Sequence, residues 1–405
     1  MKICGIIAEY NPFHNGHLHH LAQTRALLGP DTAFVCAMSG NYVQRGDLAI
    51  LEKYHRAKAA VQCGADLVVE MPLSACLWSA SGFAWGGVSL LHALGCVTHL
   101  SFGAEQADLA LLQRASALSR ADGGHAQSLR QAMAGGLSYA AAMQQAVQAA
   151  DPAAGALFAS PNNTLAIEYL SALDTLGSAI QPLAIPRAGS AHDSDTPQDG
   201  LPSASYLRGL LARGDIDACR ALMPPASFAV LQQAIQQGEA PVLRTTLDTA
   251  MLAHLRRLTP ADLAAYGGAD GLEYRLWEAI RDQTSFAGVC VAAQTRRYPL
   301  ARVRRVLLRA WLGLPQSIPP EGSYVRVLAI GPRGRAVLRH MKETCSLPLI
   351  VKPVASRALA DELQPALARD ALADDFYALA YPQPALRVGG GHFRKTPYFC
   401  EQTTE

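Results

Sequence analysis

The sequence predicts an α/β fold whose N-terminal part is built around a parallel sheet. Short apolar, partly β-branched runs alternate with segments of helical spacing over the first third of the chain. This alternation is typical of a parallel sheet with helices on both faces. The strand candidates are Lys2 to Glu9, Thr32 to Met38, Asp66 to Met71, Val97 to Phe102 and Ile180 to Ile185.

The motif His14-Asn15-Gly16-His17 lies directly after the first predicted strand, where the chain turns into a helix. A helix N-terminus presents N–H groups and a positive dipole, which suits a phosphate. Gly16 lets a ligand approach the backbone closely. Two imidazoles at this point can stabilise charge on phosphoryl oxygens. We predict that His14 and His17 do so; a histidine pair in an ordinary surface turn is the alternative.

Other predicted strands end in residues that suit a ligand site at the same edge. Ser39-Gly40, Pro72 and Gly103 each follow a strand candidate. Ligands of open parallel sheets bind beyond the carboxyl ends of the strands. Gly103 is either a turn glycine or a point of close backbone approach to a ligand. The basic side chains of Lys53 and Arg56 either line this site or form a solvated face.

Two proline pairs divide the rest of the chain, which we expect to form a helical domain and a small C-terminal α/β unit. Pro224-Pro225 and Pro319-Pro320 flank a segment with helical spacing. The expected domains are residues 1–212, 213–320 and 321–405. In the last of them, Tyr324 to Ile330 and Leu347 to Lys352 read as strands and Arg335 to Lys342 as a helix. Earlier in the chain, Asn163 or Thr164 is a candidate helix cap, and Ser203 is another.

The predicted helical domain carries an unusual excess of arginine. No acidic residue occurs between Asp282 and Glu321, although the whole chain has a net charge of only +2. On a helical wheel Arg302, Arg305 and Arg309 share one face. A local excess of this kind is typical of polyanion binding, whereas an ordinary solvated helix mixes charges of both signs. The arginines of this window are Arg296, Arg297, Arg302, Arg304, Arg305 and Arg309.

Composition argues against several other classes of protein. No uninterrupted apolar stretch reaches membrane-spanning length, and the chain opens on a strand instead of a signal peptide, so we expect no membrane and a cytoplasmic location. Nine cysteines are scattered without metal-ligand spacing. Glu9, Asp66 and Glu70 lie near strand ends but form no cluster. We therefore predict no metal ligand from the protein and no prosthetic group.

The stretch Glu9 to His17 resembles the HxGH signature of the nucleotidyltransferase superfamily, whose members transfer adenylyl groups on a Rossmann-like sheet. Further segments resemble one family, tRNA(Met) cytidine acetate ligase, densely in the first half of the chain and more thinly in the second. These segments are Met38 to Gly46, Gly64 to Pro72, Phe102 to Glu105 and Ser160 to Asn163. Ser203 to Arg208 is similar to the S-x-T-x-I-R element that closes the nucleotide site, with Ser205 and Leu207 as departures.

The resemblance implies an ATP site built from one continuous loop and a few residues of other segments. The loop residues are Ile7, Ala8, Glu9, Tyr10, Asn11, Pro12, Phe13, His14, Asn15, Gly16, His17, Leu18, His19 and His20, and the others are Gly103, Asn162, Asn163 and Arg187. Which of the two asparagines contacts ATP stays open. The polyanion expected at Arg296, Arg297, Arg302, Arg305 and Arg309 is then tRNA.

The implied activity is that of an ATP-dependent ligase. It activates acetate as acetyl-adenylate, with Mg²⁺ accompanying ATP, and acetylates the wobble cytidine of elongator tRNA(Met). One alternative is a nucleotidyltransferase that adenylylates a small phosphorylated metabolite, which the histidine motif alone permits. Another is a tRNA-binding protein with a vestigial nucleotide site.

Overall fold

A computed structural model describes residues 1–120, 126–187, 202–352, 356 and 359–400. The strands are β1 (Ile3–Ala8), β2 (Ala33–Met38), β3 (Tyr42–Val43), β4 (Asp47–Leu48), β5 (Leu67–Glu70), β6 (His99–Ala104), β7 (Gln181–Pro186), β8 (Val325–Ile330), β9 (Leu349–Ile350) and β10 (Tyr398–Phe399).

The helices are α1 (Asn15–Leu28), α2 (Lys53–Gln62), α3 (Leu73–Cys76), α4 (Ala80–Ala93), α5 (Leu109–Ser119), α6 (Ala126–Ala134), α7 (Tyr139–Ala150), α8 (Pro152–Ala156), α9 (Pro161–Thr175), α10 (Ala204–Arg213), α11 (Pro225–Gln236), α12 (Asp248–Leu255), α13 (Pro260–Ala265), α14 (Leu272–Asp282), α15 (Phe286–Ala293), α16 (Leu300–Trp311), α17 (Gly334–Thr344) and α18 (Gln364–Ala378). Short 3-10 turns lie at Leu157–Ala159, Asp217–Leu222, Arg244–Leu247, Asp361–Leu363, Pro384–Leu386 and Gly391–Phe393. None of the helices in the described ranges is long and apolar enough to cross a membrane.

The main sheet has the strand order β10-β8-β5-β2-β1-β6-β7. Strands β5, β2, β1, β6 and β7 are mutually parallel. Ala8 pairs with Met38, and Met38 pairs with Glu70, so these strands end level with one another. The segments that follow them therefore meet at one side of the sheet, which we call the carboxyl edge. The α/β class and the shared edge predicted from the sequence are confirmed.

The C-terminal strands join this same sheet, which differs from the separate small unit that the sequence suggested. Strand β8 pairs antiparallel with β5, and β9 and β10 pair with β8. All six residues of β8 are buried, and so are Leu67, Val68 and Val69 of β5. Antiparallel pairing covers both apolar strands and removes an exposed sheet edge. The domain boundaries at residues 212 and 320 stay predictions.

Helices cover both faces of the sheet, as predicted. On one face the core includes Leu91 of α4, Leu112 of α5 and Ile167 of α9. On the other, Leu21 of α1 and Ala60 of α2 pack with the side chains of the central strands. Because each central strand is buried on both sides, its residues form continuous apolar runs instead of alternating with polar ones.

Helices α12 to α16 form a second core that also includes residues from other parts of the chain. Val303 and Leu307 of α16 share it with Leu48 and Leu77 from the N-terminal region and with Tyr377 of α18. Apolar contacts therefore hold the helical region against the carboxyl edge. This packing fixes α16 beside the ends of the parallel strands.

Candidate active site at the carboxyl edge

The two motif histidines begin helix α1. His14 is its N-cap residue, and its Nδ1 accepts a hydrogen bond from the Gly16 N–H at 3.0 Å. The Nδ1 of His17 accepts one from the His14 N–H at 3.2 Å, which closes a reciprocal capping box. Because each Nδ1 is an acceptor, the neutral rings carry their proton on Nε2. The pair thus combines imidazole N–H donors with a helix N-terminus.

The two imidazoles are held by aromatic packing. Their ring centroids lie 3.8 Å apart, and the rings are inclined by 30°. Tyr10 and Phe13 flank His17 with centroids at 4.9 and 5.4 Å. Tyr10, Phe13 and His14 are each at most 5% exposed. Such packing fixes the direction of both rings before a ligand binds, which is what electrostatic stabilisation requires.

A second group of predicted residues meets where β6 and β7 end. Arg187 donates from Nη1 to Asn162 Oδ1 at 3.2 Å, and Asn162 donates from Nδ2 to Glu105 Oε1 at 2.6 Å. A methyl group on Gly103 would lie 3.2 Å from Cγ of Arg187. The arginine side chain therefore passes close to the glycine backbone. The close approach of a ligand to the Gly103 backbone stays a prediction.

The structure separates the roles of the two asparagines. Asn163 is buried at 2% exposure, and its amide oxygen accepts from the Gln106 N–H at 3.1 Å. Asn162 instead forms the bridge between Arg187 and Glu105. The predicted cap at Asn163 or Thr164 is wrong, because α9 begins at Pro161 and Ser160 precedes it. The Glu105 carboxylate accepts from the Asn163 N–H at 3.0 Å, so this acid supports the helix start.

Glu105 was not identified by sequence reasoning, although it closes the Phe102 to Glu105 segment. Its position directly after a strand of the shared edge was the available signal.

His20 is another residue of the predicted nucleotide loop. Its Nε2 forms a hydrogen bond with Ser101 Oγ at 2.9 Å. Burial, with Arg187 and His19 nearby, lowers the pKa of His20 to about 4, so the ring is neutral at physiological pH.

The segment that resembles the closing element lies against the histidine loop. Ser203 caps α10 by accepting from the Tyr206 N–H at 3.0 Å, as predicted. Arg208 donates to the Asn11 carbonyl and to Ser205 Oγ, both at 2.9 Å. Leu207 is fully buried. The two departures from the resembling motif are therefore accommodated: the serine hydroxyl holds the arginine, and the leucine fills the core.

The prediction of a solvated basic face at Lys53 and Arg56 is wrong. Arg56 is 0% exposed and donates to the carbonyls of Glu9, Gly40 and Leu51. These carbonyls belong to loops that leave β1 and β2 and to the approach to α2. Arg56 therefore links loops of the carboxyl edge, and its guanidinium is not exposed to solvent or to a ligand.

Lys53 belongs to a buried ionic cluster on the β5 side of the edge. Its Nζ lies 2.8 Å from Glu70 Oε1 and 2.7 Å from Asp374 Oδ2. Asp374 Oδ2 also contacts His392 Nδ1 at 2.7 Å, and Arg326 lies between Glu70 and His392. The nearby cations hold the pKa of Asp374 well below its usual range despite burial. We call these five residues the ionic cluster.

The arginines of α16 face a cavity instead of open solvent. This cavity of about 780 Å³ lies between α16 and the carboxyl edge, and Arg302, Arg305 and Arg309 line it. Arg305 donates to the Gln44 carbonyl at 3.2 Å. Arg296 and Arg297, which precede the helix, are exposed. We call this space the arginine cavity.

Arg309 corrects the predicted tRNA-binding face. It is 3% exposed and donates to the carbonyls of Leu77 and Pro315 at 3.5 and 2.6 Å, while its guanidinium lies 4.8 Å from the Trp78 ring centroid. The wheel placed it on the arginine face, but the turn between α3 and α4 and the loop after α16 cover that end of the helix. A side chain committed to two carbonyls and an indole is not placed to contact phosphate, so we do not include it there.

A parallel sheet with a pre-oriented histidine pair and an asparagine–arginine bridge at its carboxyl edge defines a nucleotidyltransferase. The sequence model of the HIGH Nucleotidyl Transferase family matches residues 1–389. Relatives named tRNA(Met) cytidine acetate ligase are 34% identical in Halothermothrix orenii and 33% identical in Acetivibrio thermocellus, each over 97% of this chain and 98% of the relative. The chain therefore belongs to the tRNA(Met) cytidine acetate ligase family of HIGH nucleotidyl transferases.

Solved structures agree with this assignment. TmcAL of Thermotoga maritima in an apo form superposes with a TM-score of 0.94 at 28% identity, covering 98% of this chain and 99% of that one. The same protein bound with alpha-thio ATP gives a TM-score of 0.92, with the same coverage and identity. The family and fold implied by the resemblance are confirmed.

Proposed function

We propose that this protein is an ATP-dependent ligase that activates acetate as acetyl-adenylate and acetylates the wobble cytidine of elongator tRNA(Met). The observation that carries this proposal is the juxtaposition at the carboxyl edge. The pre-oriented histidine pair and the Asn162–Arg187 bridge lie at the ends of the parallel strands, and the hydrogen bond from Gln44 to Glu9 links the histidine loop to the arginine cavity. The names of the relatives and the ATP-analogue complex of the Thermotoga maritima protein support the substrates.

In the first half-reaction, ATP binds with its phosphates at the start of α1. The Nε2–H groups of His14 and His17 hydrogen-bond phosphoryl oxygens, with the loop from Ile7 to His20 around them. Arg187, held by Asn162, and the bare backbone at Gly103 contact the remainder of the nucleotide. An acetate oxygen attacks the α-phosphorus and pyrophosphate leaves. The histidines stabilise the charge that develops on the phosphoryl oxygens.

In the second half-reaction, the exocyclic amine of cytidine attacks the acyl carbon of acetyl-adenylate. The carbon–nitrogen bond forms, the acyl–oxygen bond breaks, and AMP leaves with the electron pair. Positioning of the two reactants in one water-poor site supplies most of the rate increase expected here. The exposed guanidinium groups of Arg296 and Arg297, together with Arg302 and Arg305 at the cavity wall, bind tRNA phosphates.

Magnesium enters this proposal with ATP. Among the described residues no group of three or more histidine, cysteine, aspartate or glutamate side chains is arranged to hold a metal ion. The donors present therefore fit a Mg²⁺ ion held mainly by phosphate oxygens and water, as is common for nucleotide-bound Mg²⁺. Its positive charge would add to that of the helix start.

The test is incubation of the protein with ATP, radiolabelled acetate and tRNA, followed by mass spectrometry of the nucleosides. We expect N4-acetylcytidine that depends on all three reactants. A stable adenylylated small molecule formed without tRNA would instead support the metabolite nucleotidyltransferase. Unchanged activity of the doubly substituted His14→Ala, His17→Ala protein would support the vestigial site.

A further inference from the structure

The arginine cavity carries one carboxylate that the steps above leave unused. Glu168, on the third turn of α9, lines the same cavity as Arg302 and Arg305 of α16. No hydrogen bond or ion pair to the side chain of Glu168 occurs among the described residues. The carboxylate oxygens of Glu168 are not fully covered by protein, so they are accessible from the cavity. An acid enclosed in protein without a partner is costly unless a ligand meets it.

The cavity adjoins the nucleotide site through two connections. Asn162, the second residue of α9, holds Arg187, and Glu168 lies six residues, or about 9 Å, further along the helix axis. Gln44, also in the cavity wall, donates its N–H to Glu9 Oε1 at 2.7 Å, and Glu9 belongs to the loop that carries the histidines. A ligand in the cavity would therefore lie beside an adenylate at the strand ends.

The residues that line the cavity differ in chemistry. The lining combines the cationic side chains of Arg297, Arg302 and Arg305 with the Glu168 carboxylate and with the aromatic rings of Trp78 and Tyr139. A ligand that matches all three has an anionic group, a flat ring and an N–H donor. A cytidine nucleotide has these as its phosphate, its base and its exocyclic amine. The volume suits a small-molecule or nucleotide site.

We propose that the arginine cavity is the pocket for the acceptor cytidine of the polynucleotide, and that Glu168 accepts a hydrogen bond from its exocyclic amine and then takes the proton. This inference rests on the proposed ligase function. In the transfer step the amine nitrogen bonds to the acyl carbon and AMP leaves with the acyl–oxygen electron pair. The surplus proton on nitrogen passes to a Glu168 oxygen, and solvent removes it afterwards.

The surroundings of Glu168 suit a base that works near neutral pH. Burial raises its pKa to about 7. The other titratable and charged groups that line the same cavity are Tyr139 from α7, Tyr266, Asp270, and Arg297, Arg302, Arg305 and Arg309 from α16 and its approach. Burial lowers the pKa of Arg305 to about 10, which leaves it charged at neutral pH. The acetyl-transfer rate should therefore rise with pH through the region of about 7.

The experiment separates the two half-reactions in the full chain. Acetate-dependent exchange of pyrophosphate into ATP reports adenylate formation and also correct folding. Single-turnover transfer from acetyl-adenylate to tRNA reports the second step. For Glu168→Gln we expect exchange within about twofold of the unsubstituted protein and transfer slowed by about 10²- to 10⁴-fold. Its pH profile should lose the rising limb near 7, and Glu168→Asp should restore part of the rate.

A binding measurement adds a readout that a purely structural residue would not change. The unsubstituted protein should bind tRNA with cytidine at the target position about 5- to 100-fold more tightly than tRNA with uridine there. Glu168→Gln should lose most of this preference, whereas Arg302→Gln should weaken both tRNAs equally. Transfer by Glu168→Gln at the normal rate with an unchanged pH profile would overturn the proposal. So would a parallel loss of exchange. If the unsubstituted protein forms no acetylcytidine, the ligase function itself has failed.

Discussion

Two polar regions, the histidine pair and the ionic cluster, occupy the same edge of the sheet but differ in whether they carry compensated charges. At the end of β1, His14 and His17 are neutral rings whose Nδ1 atoms accept backbone N–H groups. At the end of β5, the ionic cluster balances two permanent cations with Glu70 and Asp374. The first region places its two imidazoles at a helix N-terminus, where the dipole is positive. In the second, the ionic cluster, the charges of the members compensate one another, so its role is structural and it is not an anion site.

The largest effect on stability should come from disrupting the ionic cluster. Lys53→Ala leaves Glu70 and Asp374 without their shared cation in a buried position. We expect the free energy of unfolding to fall by about 3–5 kcal/mol, because an uncompensated charge remains. Lys58→Ala is the matched control on the same helix; its ammonium contacts Gln233 at an exposed position, and it should cost less than about 1 kcal/mol. Urea unfolding measures both; equal losses would contradict a structural role for the cluster.

The histidine pair should respond in activity and not in stability. His14→Asn retains a residue type that caps helices well, and so it should fold with little loss. We expect acetate-dependent pyrophosphate exchange to fall by about 10²- to 10³-fold, because an oriented donor to the transition state is gone. His17→Asn should behave alike, while His19→Asn in the same turn should keep most activity. Full activity in His14→Asn would remove this side chain from the chemistry.

The two regions should also lose stability in different pH windows. The pKa of His20 is lowered to about 4, below its unfolded value near 6.5, so the unfolded chain takes up the proton first. Its contribution is present above pH 6.5 and is lost as pH falls toward 4. The pKa of Asp374 is also lowered, so its contribution is lost only as pH falls below about 4.

Urea unfolding of the unsubstituted protein and of His20→Gln between pH 7 and pH 4.5 tests this difference. The glutamine can still reach Ser101 but does not titrate. We expect the unsubstituted protein to lose on the order of 1–3 kcal/mol more over this range than the variant. Parallel pH dependences would show that His20 has no depressed pKa.

The smallest expected effect concerns the bridge at β6 and β7. Glu105→Gln keeps the size of the side chain but removes the charge at the start of α9 and weakens its hold on Asn162. We expect a loss of about 1 kcal/mol in unfolding free energy and a several-fold rise in KM for ATP. Asp108→Asn is the control; Asp108 caps α5, the helix that follows Glu105 in the chain. It should cost similar stability without changing KM.

The sequence alone determined the elements and the edge at which they meet. Strands buried on both faces leave continuous apolar runs, and the parallel order places Gly16, Gly103 and Arg187 on one side whatever the details of packing. The cap at Ser203 and the histidine helix start were also readable, because capping depends on residues three or four positions apart. Interactions of this kind can therefore be predicted from short segments of sequence.

Only the tertiary structure decided which charges meet. Lys53 and Asp374 are 321 residues apart in the chain, and Arg309 reaches the carbonyl of Leu77 across 232 residues. The helical wheel placed Arg302, Arg305 and Arg309 on one face, whereas packing buries Arg309 and leaves Arg302 and Arg305 in the wall of a cavity that Glu168 also lines. A charge's partner is set by long-range packing, because Coulomb and hydrogen-bond energies depend on distance in space and not on separation along the chain.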